Sequence, residues 1–327
     1  MQKSLETPKT APAFWLPELT LVEELIQRRF AATDGVLGEI CQHALEAGGK
    51  RVRPLLVILC GKMCGPVNEQ LLWSAAALEM VHLASLIHDD IIDHAAYRRN
   101  RLSVVGAWGG HLAVLAGDFL FATVFEILAT HCPGAVLQSV VATIQTMCQG
   151  EINQAHDRFN PDINRETYYQ RIYAKTGILL ECCCRTGGSG AGAPEGVIEA
   201  LAVFGRELGF AYQVIDDILD YTGKSDQTGK PVWEDFHQGT VTLPLILLME
   251  DPDQRHWLSR RLSSGDTSDP VRGELGERLR QSGSLDGARQ IAARHVSRAK
   301  QALSQLPANE GRDRLLDLTE RLLVRVN

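Results

Sequence analysis

Two pentapeptides carry the densest chemistry in this sequence, Asp89-Asp90-Ile91-Ile92-Asp93 and Asp216-Asp217-Ile218-Leu219-Asp220, one pattern repeated 127 residues apart. Each closes an apolar stretch of helical periodicity, LLWSAAALEMVHLASLIH before the first and LGFAYQVI before the second. On a helix, positions i and i+4 face the same way, so each motif aims two carboxylates along one face. Like charges at that spacing repel, and the C-terminal end of a helix is already the negative end of its dipole. A cation must offset them. Oxygen donors without His or Cys suit a hard ion, and Mg²⁺ in particular binds one or two carboxylates together with phosphate oxygens. One such motif alone reads as a solvated helix end; two, both on apolar helices, read as a metal site for a diphosphate.

Cations complete the set. Gly48-Gly49-Lys50-Arg51-Val52-Arg53 puts three of them directly after a glycine pair, where backbone can come close to a phosphate. Arg98 and Arg99 follow the first motif, Lys175-Thr176-Gly177 opens an apolar stretch, and Lys230 sits in a glycine-proline turn. Singly, each is an ordinary surface cation. With six aspartates they describe a pocket for two polyanions, one held by metal and one by Arg and Lys directly.

Helices must position these groups. Apolar residues recur at three- and four-residue spacing through 18–30, 36–47, 54–64, 70–93, 111–130, 135–158, 166–186, 196–221, 241–249, 254–262, 285–304 and 311–325, and two-residue alternation is scarce. The prediction is an all-α chain, with a loose leader over 1–20 and one helical domain over 21–327. The polar, glycine-rich stretch GDTSDPVRGELGERLRQSGSLDG is predicted to be a loop inside that domain.

Composition removes other classes. The 327 residues are 45% hydrophobic and 22% charged, which excludes a disordered or low-complexity chain. With 33 Lys and Arg against 40 Asp and Glu, the net charge is −7, and no basic block recruits nucleic acid. The N-terminus shows no apolar segment of the secretory kind. The apolar stretches 71–92 and 101–130 are interrupted by charged and His residues, among them Glu79, Asp89 and Asp118, and read as buried helices rather than membrane spans. Eight cysteines without Cys-x-x-Cys spacing read as reduced core thiols of a cytoplasmic protein.

In order and spacing, GGKRVRP, HDDIIDHAAYRR, GDFLFA, KTG, YQVIDDILDYTG, GKP and TVTLPLI resemble the trans-isoprenyl diphosphate synthases, from about residue 22 to about 306. The resemblance implies roughly ten or more helices around a deep central cavity, a homodimer, and Mg²⁺, about three ions per site. It also implies a reaction in which an allylic diphosphate ionises, isopentenyl diphosphate attacks the resulting carbocation, and a proton leaves. By position it makes Asp89, Asp93 and Asp216 direct Mg²⁺ ligands, with Asp90, Asp217 and Asp220 orienting metal waters or sharing coordination. Arg98, Lys175 and Lys230 match the contacts to the allylic diphosphate, and Lys50, Arg53, His82 and Arg99 match the isopentenyl diphosphate site. Thr176 and Gln213 match dipoles that face the carbocation. The chain departs from the pattern at Asn100 where glycine is common, at Trp233 where a small residue is frequent, and at Thr240 where a lysine often stands.

Product length reads as a measuring problem. Ala84 and Ser85 precede Asp89 by five and four residues, so a growing tail meets small side chains about one turn below the metals. If, as the resemblance implies, the tail descends between helices until a bulky side chain stops it, the expected product has roughly thirty to fifty carbons, with Phe119, Phe121 and Phe125 as candidate tunnel or core residues. At most transient membrane contact is expected for its release. A short-chain synthase is the main alternative. A terpene cyclase and a non-catalytic partner subunit are the remaining ones.

Overall fold

The structure, a computed structural model, describes residues 16–99, 101–223 and 232–323. Among them secondary structure is α-helical apart from a two-residue hairpin, Tyr97–Arg98 paired antiparallel with Arg101–Leu102. The helices group into two compact units. The first comprises the described residues up to Ala142, Cys182–Leu201 and Pro307–Leu315; the second comprises Thr143–Glu181, Ala202–Leu306 and those from Leu316.

In the first unit, α1 (Pro17–Ala31), α2 (Gly35–Glu46) and α3 (Val52–Cys64) precede the longer α4 (Glu69–Ile92). Asn68 starts α4 by accepting the Leu71 amide at 2.9 Å, and an unbroken buried run from Ser74 to Val81 lies along it, with Glu79 its one charged member. The helix stops at the first aspartate motif. Next, α5 (Val104–His131) opens on Ser103, whose hydroxyl accepts the Gly106 amide at 3.0 Å, and bends at Gly109, which has φ +81°. A short helical segment capped by Ser103 therefore precedes the predicted 111–130 stretch, and the non-helical Gly109 divides the two.

The remaining helices are α6 (Gly134–His156), α7 (Arg165–Ile172), α8 (Ile178–Gly190), α9 (Glu195–Thr222), α10 (Glu234–His237), α11 (Leu243–Leu248), α12 (Pro252–Ser264), α13 (Asp269–Gln281), α14 (Ser284–Ser304) and α15 (Glu310–Leu323). Between α7 and α8 the chain makes a π-helical turn, Tyr173–Gly177, that splits the predicted 166–186 helix. α13 corrects the expectation of a loop after Gly265. Its Val271, Leu275 and Leu279 recur every fourth residue and are buried, with Pro270 in the first turn; the abundant polar residues lie on the other face.

α4 and α5 are long and apolar enough to cross a membrane by length and composition alone. α4 is 67% buried within the protein over its most apolar window and α5 44%. α4 fits the expected buried helix. α5 leaves Leu112, Val114, Leu115 and Phe125 exposed.

Candidate active site

The first motif ends α4 in the first unit. Asp90 is 3% exposed and held by Arg98, whose Nε lies 2.8 and 3.1 Å from its two carboxylate oxygens and whose Nη2 lies 2.7 Å from Oδ1. The middle aspartate is thus tied inward, while Asp89 is half-buried and Asp93 exposed at the helix end. Arg98, matched by sequence to an allylic diphosphate contact, here clamps that middle carboxylate.

The same face of α4 carries His82 two turns, about 10 Å, before Asp89. Burial and the fields of Arg53, Arg99, Arg98 and Arg51 push its imidazole well below the ordinary histidine range, so it is neutral at physiological pH. Of these guanidiniums Arg98 is tied to Asp90 and Arg51 to glutamates, which leaves Arg53 and Arg99 as the two a phosphate could meet. Arg99 is placed by the glycine pair: Gly48 has φ +74° and Gly49 φ +158°, and Arg99 donates to the carbonyls of Ala47, at 3.4 Å, and Gly48. A Cβ on Gly49 would stand 3.0 Å from the Arg99 guanidinium. Lys50 is exposed and Arg53 half-buried.

Arg51 plays a different part from its neighbours. It is buried, in the left-handed region at φ +50°, and bonds Glu23 at 2.9 Å, Glu79 at 3.0 Å and the Leu45 carbonyl at 3.2 Å. Burial pushes the Glu79 carboxyl up and Arg51 pulls it back down. Sequence alone does not separate this structural arginine from the two cations beside it.

One turn before the motif, Ala84 is buried and Ser85 half-buried, with the Ser85 hydroxyl donating to the His82 carbonyl at 2.9 Å. On α5, Phe121 lies 5.8 Å from the His88 ring, Phe119 is half-buried and Phe125 exposed.

The second motif ends α9 in the second unit and repeats the arrangement. Asp217 is 2% exposed; Tyr168 donates to its Oδ2 at 2.7 Å and Gln213 to its Oδ1 at 3.0 Å. Thr176 donates in turn to Gln213 Oε1 at 2.8 Å, which fixes the amide with its oxygen toward Thr176. Where Asp90 has an arginine as partner, Asp217 has neutral donors. Desolvation, with the nearby Asp235 charge, pushes its pKa up to about 7, and the same two causes push Asp220 up to about 8. Asp216 is half-buried.

The π turn presents Lys175 and Thr176, and a Cβ on Gly209 would stand 2.7 Å from the Gly177 Cα, so α9 lies directly against the turn. Lys175 is paired with Glu151 at 3.1 Å. A cavity of about 30 Å³ here is lined by Arg171, Lys175, Gln213, Asp217, Asp235 and Thr240, among others. Asp235 and Arg171 are the residues that motif reading missed. Asp235 follows GKP by four positions in an acidic pair, a faint signal; Arg171 carries no signal, being one more cation on a polar helix. The Thr240 hydroxyl is buried without a hydrogen-bond partner among the described residues, and Arg171 donates to the neighbouring Val241 carbonyl at 2.5 Å. Lys230 lies outside the described residues.

Trp233 sits at φ +69°, in the left-handed region that favours glycine and is uncommon for a bulky residue. Its ring is held edge-on to Tyr221 at 5.1 Å and its amide donates to the Asp220 carbonyl at 2.9 Å.

Asp217 and Asp220, pushed toward neutrality beside Asp235, offer oxygen ligands of the kind a hard divalent cation takes, while no group of three or more such side chains converges as a metal site among the described residues. In the second unit Asp216, Asp217, Asp220 and Asp235 are the residues that would hold such an ion, and in the first unit Asp89 and Asp93 are the carboxylates on offer.

Comparison with known proteins agrees. The polyprenyl synthetase family profile matches residues 34–273. Heptaprenyl diphosphate synthase component 2 of Geobacillus stearothermophilus is 35% identical over 310 residues, 95% of this chain and 96% of that protein. Octaprenyl diphosphate synthase of Escherichia coli is 32% identical over 86% of this chain and 88% of that one. The crystal structure of heptaprenyl diphosphate synthase from Staphylococcus aureus superimposes with a TM-score of 0.89 at 33% identity, covering 95% of this chain and 98% of that chain. With its motif set, its all-α architecture and these relatives in accord, the chain belongs to the polyprenyl synthetase family and is a prenyltransferase.

Proposed function

We propose that this prenyltransferase is an all-trans polyprenyl diphosphate synthase of the medium- to long-chain class, condensing isopentenyl diphosphate head-to-tail onto an allylic diphosphate. The observation that carries this is the pairing of two aspartate motifs with a separate arginine cluster around a neutral His82. A terpene cyclase, with one diphosphate to hold, has no use for the second anion site. Mg²⁺, when bound, supplies charge neutralisation for the departing diphosphate.

The chain's own residues have distinct tasks in this proposal. Asp89, Asp93 and Asp216 hold the ions, and Asp220 and Asp235 add carboxylate oxygens beside the second motif. Asp90 and Asp217, tied inward by Arg98 and Tyr168, set the direction of their neighbours. Lys175 and Lys230 grip the allylic diphosphate; Lys50, Arg53 and Arg99 grip isopentenyl diphosphate, with His82 as a neutral donor. The Thr176 and Gln213 dipoles, ordered by their mutual bond, face the carbocation. Small Ala84 and Ser85 below Asp89 leave room for a long tail.

A homodimer, one catalytic domain over 21–327 and a cytoplasmic location belong to the same proposal. The exposed apolar side chains of α5 support the first, and five buried thiols among eight free cysteines support the last. A second reading, dependence on another protein, is favoured by the name of the Geobacillus relative, a component 2. Purified chain with Mg²⁺, labelled isopentenyl diphosphate and farnesyl diphosphate tests both. A ladder passing about twenty carbons, absent with Asp89→Ala, is expected. A product that stops at fifteen or twenty carbons overturns the chain-length assignment, and no product from the chain alone overturns the homodimer in favour of the second reading.

A further inference from the structure

A second cavity, of about 360 Å³, opens in the unit that carries Asp217 and shares no lining residue with the one beside that carboxylate. Its floor is aromatic. The rings of Tyr169 on α7 and Phe210 on α9 lie 5.6 Å apart edge to face, and each stands edge-on to the His295 imidazole of α14, at 5.5 and 5.2 Å. His295 is 4% exposed with both nitrogens engaged, Nδ1 with the Glu207 carboxylate at 2.7 Å and Nε2 with the Tyr169 hydroxyl at 3.1 Å. The polar groups of the floor therefore satisfy one another and have little need of water.

The rim is cationic. Arg165 is paired with Glu250, but Arg294 and Arg298, one turn apart on α14 and exposed, enter no ion pair among the described residues. All three guanidiniums act on the Tyr169 hydroxyl, working against the burial that raises its titration. Glu207 is the one carboxylate in the lining and is bonded by His295; with Arg165 paired to Glu250, Arg294 and Arg298 still outnumber it, so the cavity keeps a net positive charge beside its aromatic rings. Two like charges at i, i+4 on a helix repel, and an anion between them relieves that cost.

We propose that this cavity binds a small, soluble anionic amphiphile, a phosphate ester whose head sits among Arg165, Arg294 and Arg298 and whose apolar body lies on Tyr169 and Phe210. The site is separate from the condensation chemistry, and its ligand need be neither substrate. Its walls nonetheless adjoin the catalytic groups: α7 carries Tyr168 next to Tyr169, and α9 carries Gln213 and Asp217 beyond Phe210.

Isothermal titration of the full chain tests the site with three probes, phenyl phosphate, inorganic phosphate and phenol, on the wild type and on Arg294→Gln/Arg298→Gln. Phenyl phosphate is expected to bind about tenfold or more tighter than inorganic phosphate, and to lose about tenfold or more in the double variant. Both arginines are exposed, so the double variant keeps its thermal midpoint. Phe210→Leu, which retains the rim, is expected to weaken phenyl phosphate but not inorganic phosphate. Unchanged affinity for phenyl phosphate in the double variant overturns the proposal. Equal binding of phenyl and inorganic phosphate overturns the amphiphile, and so does a failure of phenyl phosphate to bind the wild type at about 10 mM.

Discussion

Replacing Tyr168 by Phe removes one hydroxyl from a fully buried ring and leaves its shape, so no cavity forms and the effect falls on Asp217 alone. The folded-state pKa of Asp217, about 7, lies above its unfolded value near 3.8, because the fold disfavours the ionised form. Its contribution to stability is therefore fully present below the unfolded value and is lost as the pH rises through about 7. The Tyr168 bond favours the carboxylate, and its loss raises that pKa further. A hydroxyl bonded to a neutral acid contributes about 1 kcal/mol, and one bonded to a carboxylate about 1.5–3 kcal/mol. Tyr168→Phe is accordingly expected to cost about 1 kcal/mol near pH 5 and about 2–3 kcal/mol near pH 9. The difference corresponds to an upward shift of about one pKa unit at 1.36 kcal/mol per unit. Urea denaturation followed by far-ultraviolet circular dichroism at both pH values measures it. An equal loss at the two pH values refutes the reasoning, because it would mean that the hydroxyl does not act through Asp217's charge.

Other expectations follow from the same geometry. Arg51→Met leaves Glu79 buried without its cation and should cost about 3–5 kcal/mol in a denaturation experiment; a loss under about 1 kcal/mol would show that Glu79 simply protonates. Gly117→Ala would put a Cβ 2.1 Å from His88 Nε2, one residue before Asp89, and should lower kcat about tenfold or more through misplacement of that carboxylate; unchanged kcat would mean that His88 yields without moving the motif. Ser85→Phe should shorten the product by at least one isoprene unit, read by chromatography of the dephosphorylated lipids, and an unchanged ladder would remove Ser85 from the tunnel wall. Mg²⁺ with inorganic diphosphate should raise the thermal midpoint more near pH 8 than near pH 6, since Asp220, at about 8, must lose its proton to take metal and Asp217, at about 7, ionises beside it. A shift independent of pH, or one retained in Asp216→Ala, would count against carboxylate coordination at the second motif.

Much of this molecule is local, and what is local is legible in sequence. Helix-forming stretches declare themselves by periodicity, and the repeated aspartate pattern at i and i+4 states its chemistry because helix geometry alone aims those carboxylates. Amphipathic α13 escaped because its three buried apolar residues are outnumbered by charges and glycines, and only packing shows which face is inside. Tertiary structure divided residues that look alike in sequence. Of the cations after the glycine pair, Arg51 turned inward to Glu23 and Glu79; of the three aspartates in each motif, the middle one was buried, Asp90 against an arginine and Asp217 against a tyrosine and an amide. Burial and the nearby Asp235 charge carry Asp217 up to about 7 against the pull of its two donors, and the buried partners lie 8 positions away in one motif and 4 and 49 in the other. Identity and spacing decided which atoms could do the chemistry. The fold decided which of them are desolvated and what each one faces, because burial and electrostatic field are properties of neighbours brought together in space.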